Sequence, residues 1–402
     1  SPGLIDGHNH ILFDIFNEDD WSPSQVYTNH DQWPNEASYG EMVDAKQYLN
    51  GEMGSPVYFG CEMLKYGEMK ALIAGTTSVQ GSPGTGRACF ASVARSIDVG
   101  QNDLPDDTMQ TATIFPSVSS ADGVCANFAD GDTTAYVIHI GEGVDTVARD
   151  EFDDLLTVTT TDGCLYDTKT TIVHGTALDQ TRLMTMATNG MDLVWSPKSN
   201  VFLYGGGTDL TMTTDIPAAL GLGINVAIAP DWSLGGSQNM LDEIRYADLV
   251  DNSVFGDILT PQIIWEMATI NAADALGVSQ YIGSLEVGKR ADVAVFCPSD
   301  PDPFVSVLQS TPREVTAVFV AGRMLYGDES LTSAAPMSST CEALDVCTRA
   351  KVVCIAETGG NPADLLDQTL AEITTNLGTA ISDYDAAQGT NFAPIAPLVV
   401  CP

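Results

Sequence analysis

The sequence predicts an α/β protein: a (β/α)8, TIM-like barrel, then a small partial β-sandwich and a helical, cysteine-containing C-terminal tail. Three observations lead there. Short runs rich in β-branched residues alternate with helical runs along much of the 402-residue chain, the pattern of parallel strands joined by crossover helices. Polar or conformationally special residues repeatedly close the apolar runs, at the end where such a barrel keeps its chemistry. Hydrophobic residues make up 44%, enough for a large interior. No run approaches the ~20 apolar residues of a membrane span.

In chain order, LIDGHNH, TTSVQG, TATIFPSV, AYVIHIGEG, TTIVHGT, DLVWSPKSN and NVAIAPDW each read as a buried strand with a polar end. YFGCEMLKYGEMKALIAG and DQTRLMTMATNG read as helices between strands, and TPQIIWEMATINAADALG as a closing helix. These assign residues 1–277 to the barrel. In residues 278–330, IGSLEVGKRADVAVF and VTAVFVAGRMLYGD carry the alternation and glycine turns of antiparallel strands. ESLTSAAPMSST reads as a linker, and residues 331–402 form a helical extension. Asn361–Pro362 offers an N-cap followed by proline at N1. Leu366, Leu370, Ile373, Leu377, Ile381 and Tyr384 recur at three and four, giving one docking face. Whether the long insertion at residues 14–57 forms a lid is left open.

Charge and cysteine content bound the setting. The balance of 54 acidic against 16 basic residues gives −38, which repels nucleic acid and anionic membranes. The expected partner is a small-molecule substrate, and homo-oligomerisation stays open. Self-repulsion on this scale points to a saline or calcium-containing medium. Of nine cysteines, Cys341, Cys347, Cys354 and Cys401 cluster in the tail without zinc-ribbon spacing. Two tail disulfides are expected, with buried free thiols as the alternative. Disulfides imply a secreted or periplasmic protein.

The chain holds five histidines. His8 and His10 end the first strand, on one side by two-residue periodicity, while His139 and His174 end later strands. His30 reads as a solvated loop residue. Neutral imidazoles converging at strand ends suit zinc or a similar divalent ion, with iron or manganese as alternatives.

PGLIDGHNH, HIGEG, VHG, WSPKSN, APDWSLGGSQNMLDEIR and IGSLEVGKRADVAVF occur in that order over about residues 2–327. Together they resemble the amidohydrolase (metal-dependent hydrolase) superfamily, nearest the cytosine deaminase, guanine deaminase and chlorohydrolase branch. The resemblance implies a metal held by His8, His10, His139 and Asp231. It makes Asp231 also a proton acceptor, Glu142 the proton-shuttling acid of HxxE, and His174 the group that polarises substrate. The implied reaction is hydrolysis of a non-peptide C–N bond, deaminase-like or amidase-like, by a metal-activated hydroxide. A secreted scaffold that retains the barrel without using it as an enzyme is the alternative. Trp195 stands where many relatives have His, and Pro230 replaces a small residue.

Two-metal relatives need a bridging Lys or Glu from a middle strand. Residues 81–135 contain neither, and the Asp residues there fall in turn-like clusters, so one divalent metal ion per chain is expected, most simply zinc. Trp232, Trp195, Lys198 and Asn200 are the candidate substrate contacts, while Trp21 and Trp33 read as ordinary packing. The glycine-rich stretch at residues 81–86 lacks a phosphate-loop ending and reads as a substrate-side loop. Relatives build their small sandwich from strands on both sides of the barrel. The apolar VAVF and AVFVAG runs would then expose open edges here. The expectation is that a cleaved N-terminal fragment of the same precursor remains bound as a separate chain.

Overall fold

The structure, a computed structural model, describes residues 1–81, 93–98, 104, 109–336, 338–356 and 367–401. Eight parallel strands occur in chain order: β1 (Leu4–Asp6), β2 (Thr76–Val79), β3 (Arg95–Ser96), β4 (Met109–Ala112), β5 (Ala135–Ile140), β6 (Thr170–His174), β7 (Asp192–Trp195) and β8 (Val226–Ile228). They pair in the orders β1-β2-β3 and β4-β5-β6-β7-β8. Beyond β8 a parallel bridge from Asn9 to Asp231 returns to β1; among the described residues no ladder joins β3 to β4. Alternation sorts the side chains into two layers. Ile5, Val137, Val173, Val194 and Ala227 form an inner plug with Ala272 and Leu276. Leu4, Ile138, Ile172, Leu193 and Ile228 join the larger layer beneath the helices.

Helices α1 (Ala37–Leu49) and α2 (Gly60–Ile73) precede β2. Next come α3 (Val118–Asp130), α4 (Thr146–Thr157), α5 (Gln180–Asn189), α6 (Pro197–Tyr204), α7 (Ile216–Gly221) and α8 (Met240–Val250). The segment read as one closing helix is two, α9 (Pro261–Met267) and α10 (Ile270–Ala275). The break at Thr269 leaves the Ala268 carbonyl to accept the Ile5 amide at 2.9 Å, tying α9 to β1. WSPKSN, read as the polar end of a strand, opens α6 with Pro197 in its first turn.

After the barrel come β9 (Val293–Phe296), β10 (Val315–Val320) and β11 (Arg323–Asp328), antiparallel strands as the alternation predicts, with an unforeseen helix α11 (Pro303–Leu308) between β9 and β10. The expectation for the tail needs correction. Residues 329–334 and 338–340 form 3-10 turns rather than an extended linker, and β12 (Glu342–Val346) and β13 (Arg349–Val353) form a hairpin. The sheet order is β12-β13-β11-β10-β9, antiparallel throughout, so the tail merges with residues 278–330. Of the two runs expected to expose open edges, β10 lies between β9 and β11, whereas β9 is the outermost strand, with only Pro2 bridged to Val293.

Helix α12 (Leu370–Gln388) starts at Thr369, whose capping box with Glu372 closes the first turn. Asn361, Pro362 and Leu366 lie outside the described residues. Leu370, Ile373, Leu377, Ile381 and Tyr384 are buried as the periodicity requires. Cys341–Cys354 and Cys347–Cys401 are disulfides, as expected for the tail, and Cys125–Cys164 is a third joining α3 to the segment after α4. No helix among the described residues is long and apolar enough to cross a membrane.

Candidate metal centre

The C-terminal ends of β1, β5, β6 and β8 bring His8, His139, His174 and Asp231 together. One donor atom from each lies within 4.8 Å of the others, and all four residues are buried. Backbone geometry explains the convergence. His139 follows Val137 on the inward register of β5. His174 would face outward by alternation, but its left-handed φ of 68° turns it in, and Asp231 adopts φ 71° for the same purpose. Such conformations cost non-glycine residues about 1–3 kcal/mol each and concentrate at functional sites.

The histidine tautomers are set from outside the cluster. His8 Nδ1 lies 3.0 Å from Gln80 Oε1, and the Gln80 amide donates to Asp98 at 3.0 Å, which fixes the orientation of Gln80. His139 Nδ1 lies 3.2 Å from the Ala112 carbonyl. His174 Nδ1 lies 3.1 Å from Asn200 Oδ1. The Thr214 hydroxyl donates to the His174 carbonyl and therefore accepts from Asn200 Nδ2, which fixes Asn200. Each ring thus gives its proton away at Nδ1 and keeps a lone pair on Nε2. His8 Nε2, His139 Nε2 and Asp231 Oδ1 are buried without a hydrogen-bond partner. Unmatched buried polar atoms cost about 1–3 kcal/mol each, so three at one point fit a bound cation. Two or more imidazoles and a carboxylate suit zinc and neighbouring divalent metals.

Ser199 donates to Asp231 Oδ2 at 2.5 Å, leaving Oδ1 to face His8 Nε2 at 3.3 Å. Burial opposes the Asp231 charge, but His8, His174 and His10 hold its pKa far below the usual carboxylate range. Burial likewise opposes charge on His8, yet Asp231 and Gln80 hold its pKa above the ordinary value. Burial and the neighbouring imidazoles push His139 well down. Glu142, just beyond β5, accepts from Tyr204 at 2.9 Å and stands 3.8 Å from His174 Nε2. Burial opposes its charge, but His174 and His30 keep it ionised.

Several expectations change. His10 lies outside the tetrad, its Nε2 3.5 Å from Asp231 Oδ1 and its side chain 30% exposed at the rim. Strand β1 ends at Asp6, so two-residue periodicity does not extend to His8 and His10. His174, expected beside the metal as a polarising donor, instead turns a lone pair toward it. Trp195 lies on the outer layer with Leu193, against Phe255 and hydrogen-bonded to Thr213, not at the pocket. Asn200 is fully buried and orients His174 rather than meeting substrate. Lys198 is part-exposed, its Nζ 3.9 Å from Glu18. Trp232 faces the mouth, its ring 6.5 Å from that of His10.

Two features were missed. His30, read as a solvated loop residue, is 15% exposed and lies between Glu142 and Glu151, at 3.3 and 2.5 Å. Trp21 and Trp33, read as ordinary packing, stack beside Trp232 with centroids 5.5 and 5.9 Å away, so part of the long insertion covers this side of the mouth. Asp98, in the turn after β3, lines the opening beside His8 and His139.

Comparison with known proteins agrees with this site. Residues 115–325, just over half of the chain, match the amidohydrolase family. A 5-methylthioadenosine/S-adenosylhomocysteine deaminase of Bacillus cereus is 25% identical over 366 residues, 82% of each chain. An S-triazine hydrolase of Gordonia rubripertincta is 29% identical over 180 residues, 42% of this chain but only 36% of that protein. Guanine deaminase of E. coli superposes with a TM-score of 0.60 at 16% identity, over 82% of this chain and 84% of that one. An atrazine chlorohydrolase of Arthrobacter aurescens, crystallised with zinc and atraton, gives 0.60 at 16%, over 81% and 83%. At such identities these superpositions speak for the fold.

Proposed function

The chain belongs to the amidohydrolase family, and from that premise we propose that it hydrolyses a non-peptide C–N bond of a small molecule, releasing ammonia from an amino-substituted heterocycle. The observation that carries the reading is the set of inward lone pairs on His8, His139, His174 and Asp231, three of them buried and unmatched. The tetrad would hold one divalent ion, most simply zinc, with His10 at the rim as a fifth donor. When bound, such an ion supplies a water of pKa near ~7 and Lewis-acid polarisation of the substrate.

The chain's own groups then have separate tasks. Ser199 keeps Asp231 oriented, and the neighbouring imidazoles keep its carboxylate ionised and free to face a cation. Glu142, also ionised, takes the attacking water's proton on Oε2 and returns it to the departing nitrogen. Tyr204 holds the other oxygen of that carboxylate. Trp232, buried under Trp21 and Trp33 and 6.5 Å from the His10 ring, would form the aromatic backing of the pocket for a flat ring. The disulfides support a secreted or periplasmic setting.

Zinc-loaded protein should release ammonia from at least one of 5-methylthioadenosine, S-adenosylhomocysteine and guanine, and elemental analysis should give about one metal per chain. Glu142→Gln should keep the metal and lose roughly 10²-fold or more in turnover. His139→Ala should lose both. Amine or acid release from amides, with no ammonia from any ring substrate, would replace deamination by amide cleavage. A metal-free protein at saturating zinc would end the enzymatic reading.

A further inference from the structure

The barrel alone does not complete the surroundings of Glu142. Residues 27–30, from the insertion after β1, cross directly over the segment that carries it. The His30 amide donates to the Glu142 carbonyl at 3.1 Å, and the Val144 amide to the Thr28 carbonyl at 2.7 Å. Asn29 bridges to Gly143, and Asp145 accepts from both Thr28 and Asn29 at 2.7 Å. Gly143 makes the crossing feasible. Its φ is 154°, and a Cβ there would stand 2.5 Å from the Thr28 carbonyl oxygen and 2.7 Å from Asn29 Cα.

This crossing places the His30 ring between two carboxylates on different elements. Nδ1 faces Glu142 Oε2 at 3.3 Å, and Nε2 faces Glu151 Oε1 on α4 at 2.5 Å. The other oxygen of Glu151 accepts the Gly141 amide at 2.8 Å, so Glu151 is itself fixed. Asp31, 4.0 Å from Nε2 and largely exposed, is the remaining charged neighbour. A ring with a carboxylate at each nitrogen donates from both, which makes it an imidazolium; burial opposes that charge, but Glu142 and Glu151 raise the pKa to about 11.

We infer that His30 is a positioning residue for Glu142, and that residues 27–30 are a working part of the active site rather than a decoration on the barrel. Tyr204 restrains one oxygen of Glu142 and His30 the other, so the carboxylate cannot rotate away from the metal centre. This inference rests on the proton-transfer role given to Glu142 above.

With five histidines in the chain, nitrogen-15 spectra of histidine-labelled, zinc-loaded protein can isolate His30 by its loss in His30→Gln. One ring should keep both nitrogens protonated at pH 8, and its titration should move down by at least about one pH unit in Glu142→Gln. With 5-methylthioadenosine and guanine as probes, His30→Gln should lower kcat at least ~10-fold. KM and zinc content should stay near wild type, while Tm falls with the loss of the two ion pairs. Gly143→Ala should show the same kcat loss, and free imidazole should restore part of the activity of His30→Gly, which mere scaffolding would not allow. A His30 signal indifferent to Glu142→Gln overturns the inference even if neither probe is turned over. So does wild-type kcat in His30→Gln when Glu142→Gln is inactive. Full activity of Glu142→Gln would instead remove the proton-transfer reading on which the inference stands.

Discussion

Gln80 and Asn200 present no atom to the metal centre, yet each decides which nitrogen of a histidine keeps its lone pair. Replacing either with Leu leaves Nδ1 without its acceptor and frees the ring to adopt the other tautomer. Zinc affinity should fall roughly 10–100-fold in Gln80→Leu and in Asn200→Leu, read by competition with a chromogenic chelator. Unchanged affinity would show that packing alone sets the rings. At this scale the sequence was informative about residue types and their strand-end places, and poor about direction. His174 and Asp231 reach the centre through left-handed backbone that alternation cannot foresee. Trp195 was the reverse case: two-residue periodicity pairs it with Leu193 on the outer layer, and applying that periodicity would have removed it from the pocket. His30 gave no local signal, because its partner Glu151 lies 121 residues away.

The hairpin of β12 and β13 shows why the tail was misjudged while α12 was not. Helix α12 announces itself through a local apolar period. The hairpin turns on Cys347 and Thr348, with φ of 50° and 67°, where Asn-Gly is the usual signal for such a two-residue turn. The turn is held from outside, by the Cys347–Cys401 disulfide and by Arg313, which donates to the Cys347 carbonyl at 2.8 Å and to Thr348 Oγ1 at 2.7 Å. That disulfide spans 54 residues, so by loop-closure entropy its loss should cost about 4 kcal/mol. Cys401→Ser should lower Tm and make the β12–β13 amides exchange faster than those of β5 and β6. Equal protection in both regions would mean that the sheet, not the disulfide, holds the tail.

For the whole molecule, charge and burial mostly weaken the fold as pH rises, opposed by His139, whose lowered pKa acts the other way. Glu243 is pushed up to about 8 and Asp192 to about 7, both chiefly by burial. A carboxyl raised in the folded state stays neutral there while its unfolded counterpart ionises, so stability drains away as pH climbs from about 4 toward those values. His30, raised to about 11, contributes fully below its unfolded pKa near ~6.5 and progressively less above it. The −38 charge adds repulsion that grows as acids ionise. Tm should therefore be higher at pH 6 than at pH 8. Raising sodium chloride from ~10 to ~150 mM should narrow the gap, because the Debye length shrinks from about 30 to 8 Å. A Tm that rises with pH over this range would contradict the assignment.

Helix α2 is buried along all fourteen residues, by segments from opposite ends of the chain. The turn after the metal motif packs on one side of it. From the other end, Gln368 and Asn376 reach Glu62 at 2.8 and 3.4 Å, Tyr66 donates to the Ala396 carbonyl, and the Ala396 amide returns to Ile15 at 2.8 Å. During synthesis α2 leaves the ribosome about 300 residues before its cover, a wait on the order of 15–60 s at ordinary translation rates. For that interval the helix carrying Glu62, Lys65, Glu68 and Lys70 has only the turn after the metal motif and β2 to pack against, and lacks α12. The helix is thus left partly uncovered until residues 368–396 have been made.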